Sequence, residues 1–326
     1  MLKYILKRLL DLIPVFLIIT IVIFGIVELM PGDPVNAYLG QGSKVSVEQQ
    51  QQIREQLGLD KGPATRYLKW LGRTLTGDFG NSLKYRKPVK DIMGMYIWNS
   101  FILNLISMVL AVAIAVPVGI RSAVKKYGLF DNFWTVFSLA GVSMPSFFFA
   151  LVLVFFIAIP SKSIPLNGMR DVILAAKGYA SFGQEVLDIL KHMILPVTVL
   201  TVSSLASLTR YVRNSVIEVI NQDYIRTARS KGLKEKVVIY KHAFRNALLP
   251  LVTLLGMWIP GLFGGSMILE TVFLWPGIGN VLFTSIMDRD ISMVMASNVF
   301  YAVLMLAGNL LSDVGYALVD PRVKVK

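Results

Sequence analysis

Six apolar runs set the first limit on what this chain can fold into. Roughly Leu9–Met30, Trp98–Ala123, Phe133–Pro160, Met193–Val212, Leu248–Leu269 and Val294–Leu318 each reach the length of a bilayer-crossing helix, about 20 residues at about 1.5 Å per residue. A soluble domain cannot hide a chain that is 55% hydrophobic and 16% charged. The expectation is an all-α integral membrane protein with six transmembrane helices. GLFGGS at 261–266 is placed to break the fifth run in two. Leu9–Met30 exceeds the apolar core of a cleaved signal peptide, and PGDP follows it instead of a small-residue cleavage site. It reads as a retained first span.

The net charge of +13 would point to nucleic acid in a soluble protein, but its distribution points elsewhere. Lys3, Lys7 and Arg8 precede the first span, and Arg121, Lys125 and Lys126 follow the second. Arg210, Arg213, Arg226, Arg229, Lys231, Lys234, Lys236, Lys241 and Arg245 surround the link between the fourth and fifth, and Arg322, Lys324 and Lys326 close the chain. All of these fall on one side of a six-span topology, which by the positive-inside rule places both termini in the cytoplasm. The basic excess is topology, and the surface it meets is the lipid bilayer, with no nucleic acid among the expected partners.

Three regions follow: residues 1–30, a cytoplasmic end with the first span; 31–97, an extracytoplasmic insertion; and 98–326, a core of five further spans. In the insertion, Ser46 and Gln49 form a capping-box signature, and Pro63 opens a helix over ATRYLKWLGRTL. Tyr67, Leu71 and Leu75 stripe one face of that helix beside Trp70, with Arg66, Lys69 and Arg73 opposite. Such a helix lies at a membrane surface or packs on the protein's own outer face. The link 161–192, with Pro165, Gly168, Gly178 and Gly183, reads as irregular. Pro14, Pro117, Pro145, Pro196 and Pro260 are candidate kinks in or near spans.

The chain offers little for chemistry. It has no cysteine, and His192 and His242 lie too far apart to pair. It contains no HExxH, GxSxG or GxxxxGK[ST] motif, and Ser266 has no histidine to activate it. It is read as no enzyme, with no cofactor or metal of its own. Asp11, Glu28, Glu270 and Asp313 stand near span ends, where a carboxylate reaches water or headgroups at small cost. Asn99, Ser100 and Asn104, the set Ser203, Ser204, Ser207 and Thr209, and Asn298 and Asn309 are either interhelical hydrogen bonds or the wall of a polar path.

Between two strongly apolar segments, charge gathers in DYIRTARSKG at 223–232. Asn221 or Asp223 can cap a short helix on which Tyr224, Thr227 and Ala228 share a face, and Gly232 supplies a left-handed stop. LKEKVVIYKHAFRNALLP then begins a helix entering the fifth span near Pro250. A short helix at about 221–232, held between two spans with small residues on one face, suits contact with a soluble partner. Taken alone, it is equally a basic loop facing lipid.

RTARSKG resembles the cytoplasmic EAA-type loop of permease subunits of bacterial ABC importers. Arg226 stands at the usual Glu, Thr227 and Ala228 at the paired small residues, and Gly232 at the fixed glycine. PGDP at 31–34, GDFGNS at 77–82 with Pro88-Val89, GVSMPSFFFALVL at 141–153, ETVFLWPGIGNVLF…DRD at 270–290 and DPRVK at 320–324 are similar to the dipeptide/oligopeptide branch. The resemblance implies a type I ABC importer permease fold in the bacterial plasma membrane. It implies a second homologous permease, two ATP-binding subunits carrying the ATP and Mg, and an extracytoplasmic peptide-binding protein. Asp223, Tyr224, Arg226, Thr227, Ala228 and Gly232 would then form the ATPase-coupling helix. Nickel, glutathione or another small solute is the alternative cargo, and an ATP-independent channel or secondary carrier the alternative class.

Overall fold

The computed structural model describes residues 2–29, 48–49, 51–52, 60–161 and 163–319, the side chains of 2–4, 249–255, 257 and 315–319 excepted. PGDP, Ser46 and DPRVK therefore lie outside the described residues. Among the described residues, the α-helices of six residues or more are α1 (Leu2–Glu28), α2 (Pro63–Leu75), α3 (Val89–Val124), α4 (Leu129–Ser143), α5 (Ser146–Leu153) and α6 (Val172–Lys177). They continue with α7 (Phe182–Ile220), α8 (Asp223–Ser230), α9 (Phe244–Gly264), α10 (Met267–Val272), α11 (Ile278–Met287) and α12 (Ile291–Val319). A π-helical turn, Val154–Ala158, extends α5, and another, Val238–Ala243, leads into α9. Among the described residues the β-pairing is an isolated bridge between Asn81 and Pro88.

Ile5–Glu28, Val89–Val124, Phe182–Ile220 and Ile291–Val314 are each long and apolar enough to cross a membrane, matching the first, second, fourth and sixth expected spans. The third is a bent pair, Leu129–Ser143 and Ser146–Ser161, with 105° between its halves. The cause is local: a residue before proline is pushed out of the α region, and Met144, before Pro145, has ψ 122°. Pro14, Pro117 and Pro196 sit inside unbroken helices, so of these candidates Pro145 makes the break. The fifth expected span coincides with α9, 21 residues long. It ends as anticipated in the glycine run, where Gly265 has φ +66°. The described residues thus give four single-helix spans, or five with the bent pair.

The link 161–192 needs correction. Ser181 accepts a hydrogen bond from Gln184 N and starts α7 at Phe182, so α7 runs 39 residues. At about 1.5 Å per residue that is about 58 Å, well beyond the about 30 Å hydrocarbon layer. Asp171 caps α6 within the same link, accepting from the amides of Ile173 and Leu174.

Two compact units are present, Met1–Trp98 with Val281–Ala307, and Asn99–Asn280 with Gly308–Lys326. In the first, Tyr67 and Trp70 of α2 pack on Phe24 of α1 with centroids 5.6 and 5.9 Å away. Thr20 Oγ1 meets Tyr67 OH at 3.0 Å, and Arg66 pairs with Glu28. α2 is therefore held by packing on α1. In the second unit α7 is central and packs on α4, α5 and α9. Glycines permit the approach: a Cβ at Gly119 would lie 2.8 Å from Val212 Cβ, and one at Gly141 2.9 Å from Ala206 Cβ.

Candidate functional site

α7 ends at Ile220, and after Asn221 and Gln222 the chain turns into α8. Gln222 occupies the N-cap without a side-chain capping bond, correcting the expectation that Asn221 or Asp223 caps. Asp223 instead stands in the first turn, where a carboxylate favours the helix dipole. Gly232 closes α8 as anticipated: its φ is +72°, and its amide donates to Arg229 O at 2.9 Å. A Cβ there would meet nothing within 4 Å, so backbone angle alone calls for glycine.

The helix divides sharply into two faces. Ile225 (0% exposed) and Ala228 (7%) pack inward with Val238 and Ala243 of the π turn and with Val219 and Ile220 of α7. Asp223, Tyr224, Arg226, Thr227 and Lys231 are exposed. Ala228 thus belongs to the support of the helix, and Tyr224 and Thr227 to its outward surface. Arg229 reaches over the Gly232 turn to Glu235, with Nη2 and Nε at 2.8 and 3.2 Å from its carboxylate. That hydrogen bond holds the Glu235 carboxyl below its ordinary value. Arg226 faces Asp223 at 3.5 Å in full solvent. Anchored along its inner face and clamped at its C-terminal end, α8 can pass a displacement to α7 and α9.

Ile225, Val238, Ala243 and Glu235 had not been singled out from sequence. Ile225 was within reach, since it sits three residues before Ala228; the π turn that forms its socket has no sequence signal.

The other motifs make two knots. Glu270 is fully buried, correcting the expectation that it reaches water or headgroups. Its carboxylate accepts from Ser100 Oγ at 2.6 Å, Asn280 N at 2.9 Å and Ser266 N at 3.2 Å. A Cβ at Gly265 would lie 2.6 Å from Oε1, one at Gly279 2.9 Å from Oε2, and one at Gly277 directly on the carboxyl. Asn99 Nδ2 donates to Pro276 O at 2.8 Å, Asn104 Nδ2 to Leu262 O at 3.2 Å, and Trp275 Nε1 to Asn99 O at 3.2 Å. The polar set opening the second span is thus a set of interhelical hydrogen bonds. Ser203 and Asn298 bond within their own helices, to Val199 O and Val294 O.

The second knot ties GDFGNS to DRD. Asp290, fully buried, accepts from Ser82 Oγ, from Lys84 N at 3.3 Å and from Met293 N at 3.3 Å. Lys84 Nζ pairs with Asp288 at 2.8 Å. Left-handed glycines 77 and 80 shape the hairpin, and Asp78 accepts from Gly80 N at 2.9 Å and Arg73 Nε at 2.8 Å.

Known proteins match the chain over its whole length. The family described as "Binding-protein-dependent transport system inner membrane component" matches residues 115–325, and the N-terminal family of the same systems' membrane components matches 1–95. The chain is 39% identical to the oligopeptide transport system permease protein AppB of Bacillus subtilis, over 99% of this chain and 100% of that one. It is 36% identical to the dipeptide transport system permease protein DppB of Escherichia coli K12, covering both chains fully. To the di/tripeptide permease DppB of Pseudomonas aeruginosa it is 34% identical, over 99% of each. The chain belongs to the family of binding-protein-dependent transport system inner membrane components, and is a membrane transport subunit, not an enzyme.

Proposed function

We propose that this chain forms half of the pathway of an ATP-driven importer of dipeptides or oligopeptides and that α8 receives the stroke of the ATPase subunits. A second homologous permease completes the pathway, two ATP-binding subunits carry ATP and Mg beneath it, and an extracytoplasmic binding protein delivers peptide. Both termini and α8 lie in the cytoplasm. The peptide assignment is supported by the names of relatives that match end to end. The observation that carries the coupling role is the division of α8. Ile225 and Ala228 fix it to α7 and the π turn, and Tyr224, Arg226 and Thr227 stay exposed. An ATPase groove that grips this face shifts the equilibrium of the spans only through contacts that differ between inward- and outward-open states. A helix packed on α7 along its inner face passes that difference on to the spans.

The test is reconstitution of the chain with its partner permease, ATPases and binding protein in proteoliposomes. Labelled dipeptide or oligopeptide should accumulate only with ATP and the binding protein. Uptake by this chain alone without ATP would overturn the reading in favour of a channel or carrier. ATP-driven uptake of nickel or glutathione, but not peptide, would leave the coupling and replace the cargo.

A further inference from the structure

Asp131, in the first turn of α4, is 1% exposed and faces Arg213 of α7, 19% exposed. Arg213 Nε donates to Asp131 Oδ1 at 2.6 Å and Nη2 to Oδ2 at 2.8 Å, a two-pronged pair. Oδ2 also accepts from Tyr127 N at 2.8 Å. Tyr127 holds φ +64°, a left-handed angle that residues other than glycine rarely adopt. Beside it, the Arg121 guanidinium at the end of α3 lies 4.4 Å from the Phe130 ring of α4. Within one helical turn of Arg213, Gly119 of α3 presses on Val212.

We infer that Asp131 and Arg213 are positioning residues that lock α3, α4 and α7 into one lever for the stroke arriving at α8. The inference rests on the coupling role proposed above. Arg213 precedes the end of α7 at Ile220 by seven residues, about 10 Å along the axis. The inner face of α8 packs on Val219 and Ile220. Those two also pack against the cluster of Ala115, Ile120, Leu208, Val212 and Val216, as do Trp134 and Phe137 of α4.

Apolar packing between α4 and α7 transmits displacement, but being non-directional it specifies their relative rotation less tightly than a hydrogen-bonded pair does. A two-pronged guanidinium–carboxylate pair is directional, and any roll of α4 against α7 breaks it. A buried pair of this kind is weak evidence of a stabilising role. Desolvating two charges roughly cancels their attraction, and apolar residues of the same size hold such a position as well or better. With α4 locked to α7, movement of α8 reaches the 105° bend after Ser143, and so α5, without loss at the helix interface.

The test uses the reconstituted complex and reads peptide imported per ATP hydrolysed. Asp131→Asn sets an amide donor against the N–H groups of Arg213 and Tyr127, and Arg213→Lys removes the fork but keeps the charge. Both should lose uptake per ATP while ATP hydrolysis persists. A separate measurement needs no altered clamp: spin labels at Leu129 and Glu218, in α4 and α7, should keep one distance with and without trapped ATP. The inference is overturned if the variants keep the normal ratio, if uptake and hydrolysis fall together, or if the label distance changes on trapping. A wild-type complex without ATP-driven uptake would instead overturn the proposed function, and is distinguishable because no variant is involved.

Discussion

Ser100 Oγ donates to Glu270 Oε1 at 2.6 Å across 170 residues of sequence, and the same hydroxyl accepts from Ile278 N at 2.9 Å. One serine thereby pins both sides of the 266–280 turn to α3, and a fully buried carboxylate serves as its staple. Such a carboxylate is tolerable only while every donor aimed at it is matched. Glu270→Gln places an amide donor among those donors and should destabilise by about 1–3 kcal/mol. Gly277→Ala drives a methyl into the carboxyl, an overpacking also worth about 1–3 kcal/mol. Thermal unfolding of the purified protein measures both. Unchanged melting in either variant would show that the staple does not hold the turn.

Gly232 gives a contrasting case, because open space surrounds it and only its φ of +72° matters. Gly232→Ala should cost about 1 kcal/mol, whereas Gly232→Asn, whose side chain tolerates left-handed backbone, should cost less. Amide exchange over 223–235 reads the difference: Ala should speed exchange at the end of α8, and Asn less. Equal rates in both variants would mean that the stop does not depend on backbone angle.

These two glycines mark what was legible in the sequence. Gly232 follows a short charged helix and could be read as a stop from its neighbours alone; so could Pro63 at the start of α2. Gly277 reads only as a turn residue, because the carboxyl it makes room for comes from Glu270 and the donor from Ser100. Spans were legible from hydropathy, but their ends were not. α7 starts at Phe182 because Ser181 caps it, a signal masked by Gly183 beside it. For α8, the short helix and its glycine stop were legible and the directions of its side chains were not. Ala228 looks like a contact residue by size, yet it is small because α8 must close on Val238 and Ala243.

The Asp290 knot predicts protection of the hairpin beside it. Asp290→Ala strips the acceptor from Ser82 Oγ and from the amides of Lys84 and Met293, at about 1–3 kcal/mol. Lys84 and Arg86 stand in that hairpin as trypsin sites, whereas the bond after Lys87 is blocked by Pro88. Cleavage there should be faster in Asp290→Ala than in wild type, with the helices unaffected. Equal cleavage rates would show that the loop is held by other means.

The Arg229–Glu235 clamp should respond to pH in a defined direction. Glu235 is held below its ordinary value near 4.5, first by the hydrogen bond from Arg229. A lowered folded-state value means the contribution is complete above the ordinary value and is lost as pH falls through the lowered one. The side chains are 41% and 53% exposed, so solvent screening limits the pair to about 0–1 kcal/mol. Amide exchange over 229–235, corrected for its intrinsic pH dependence, should lose protection on acidification in wild type and lack that step in Glu235→Gln. High salt should mimic acid. An identical acid response in Glu235→Gln would assign the change to another group.

The absence of cysteine makes single replacements clean reporters of which way α8 faces. Thr227→Cys and Tyr224→Cys lie on the exposed face, and Ala228→Cys replaces a residue 7% exposed. A membrane-impermeant maleimide should label positions 224 and 227 in inverted vesicles but not in intact cells, and should label 228 far more slowly. Adding the ATPase subunits should protect 224 and 227. Labelling of 227 from outside would invert the orientation. Fast labelling at 228 would mean that α8 swings free of the π turn, and a helix that swings free cannot drive α7.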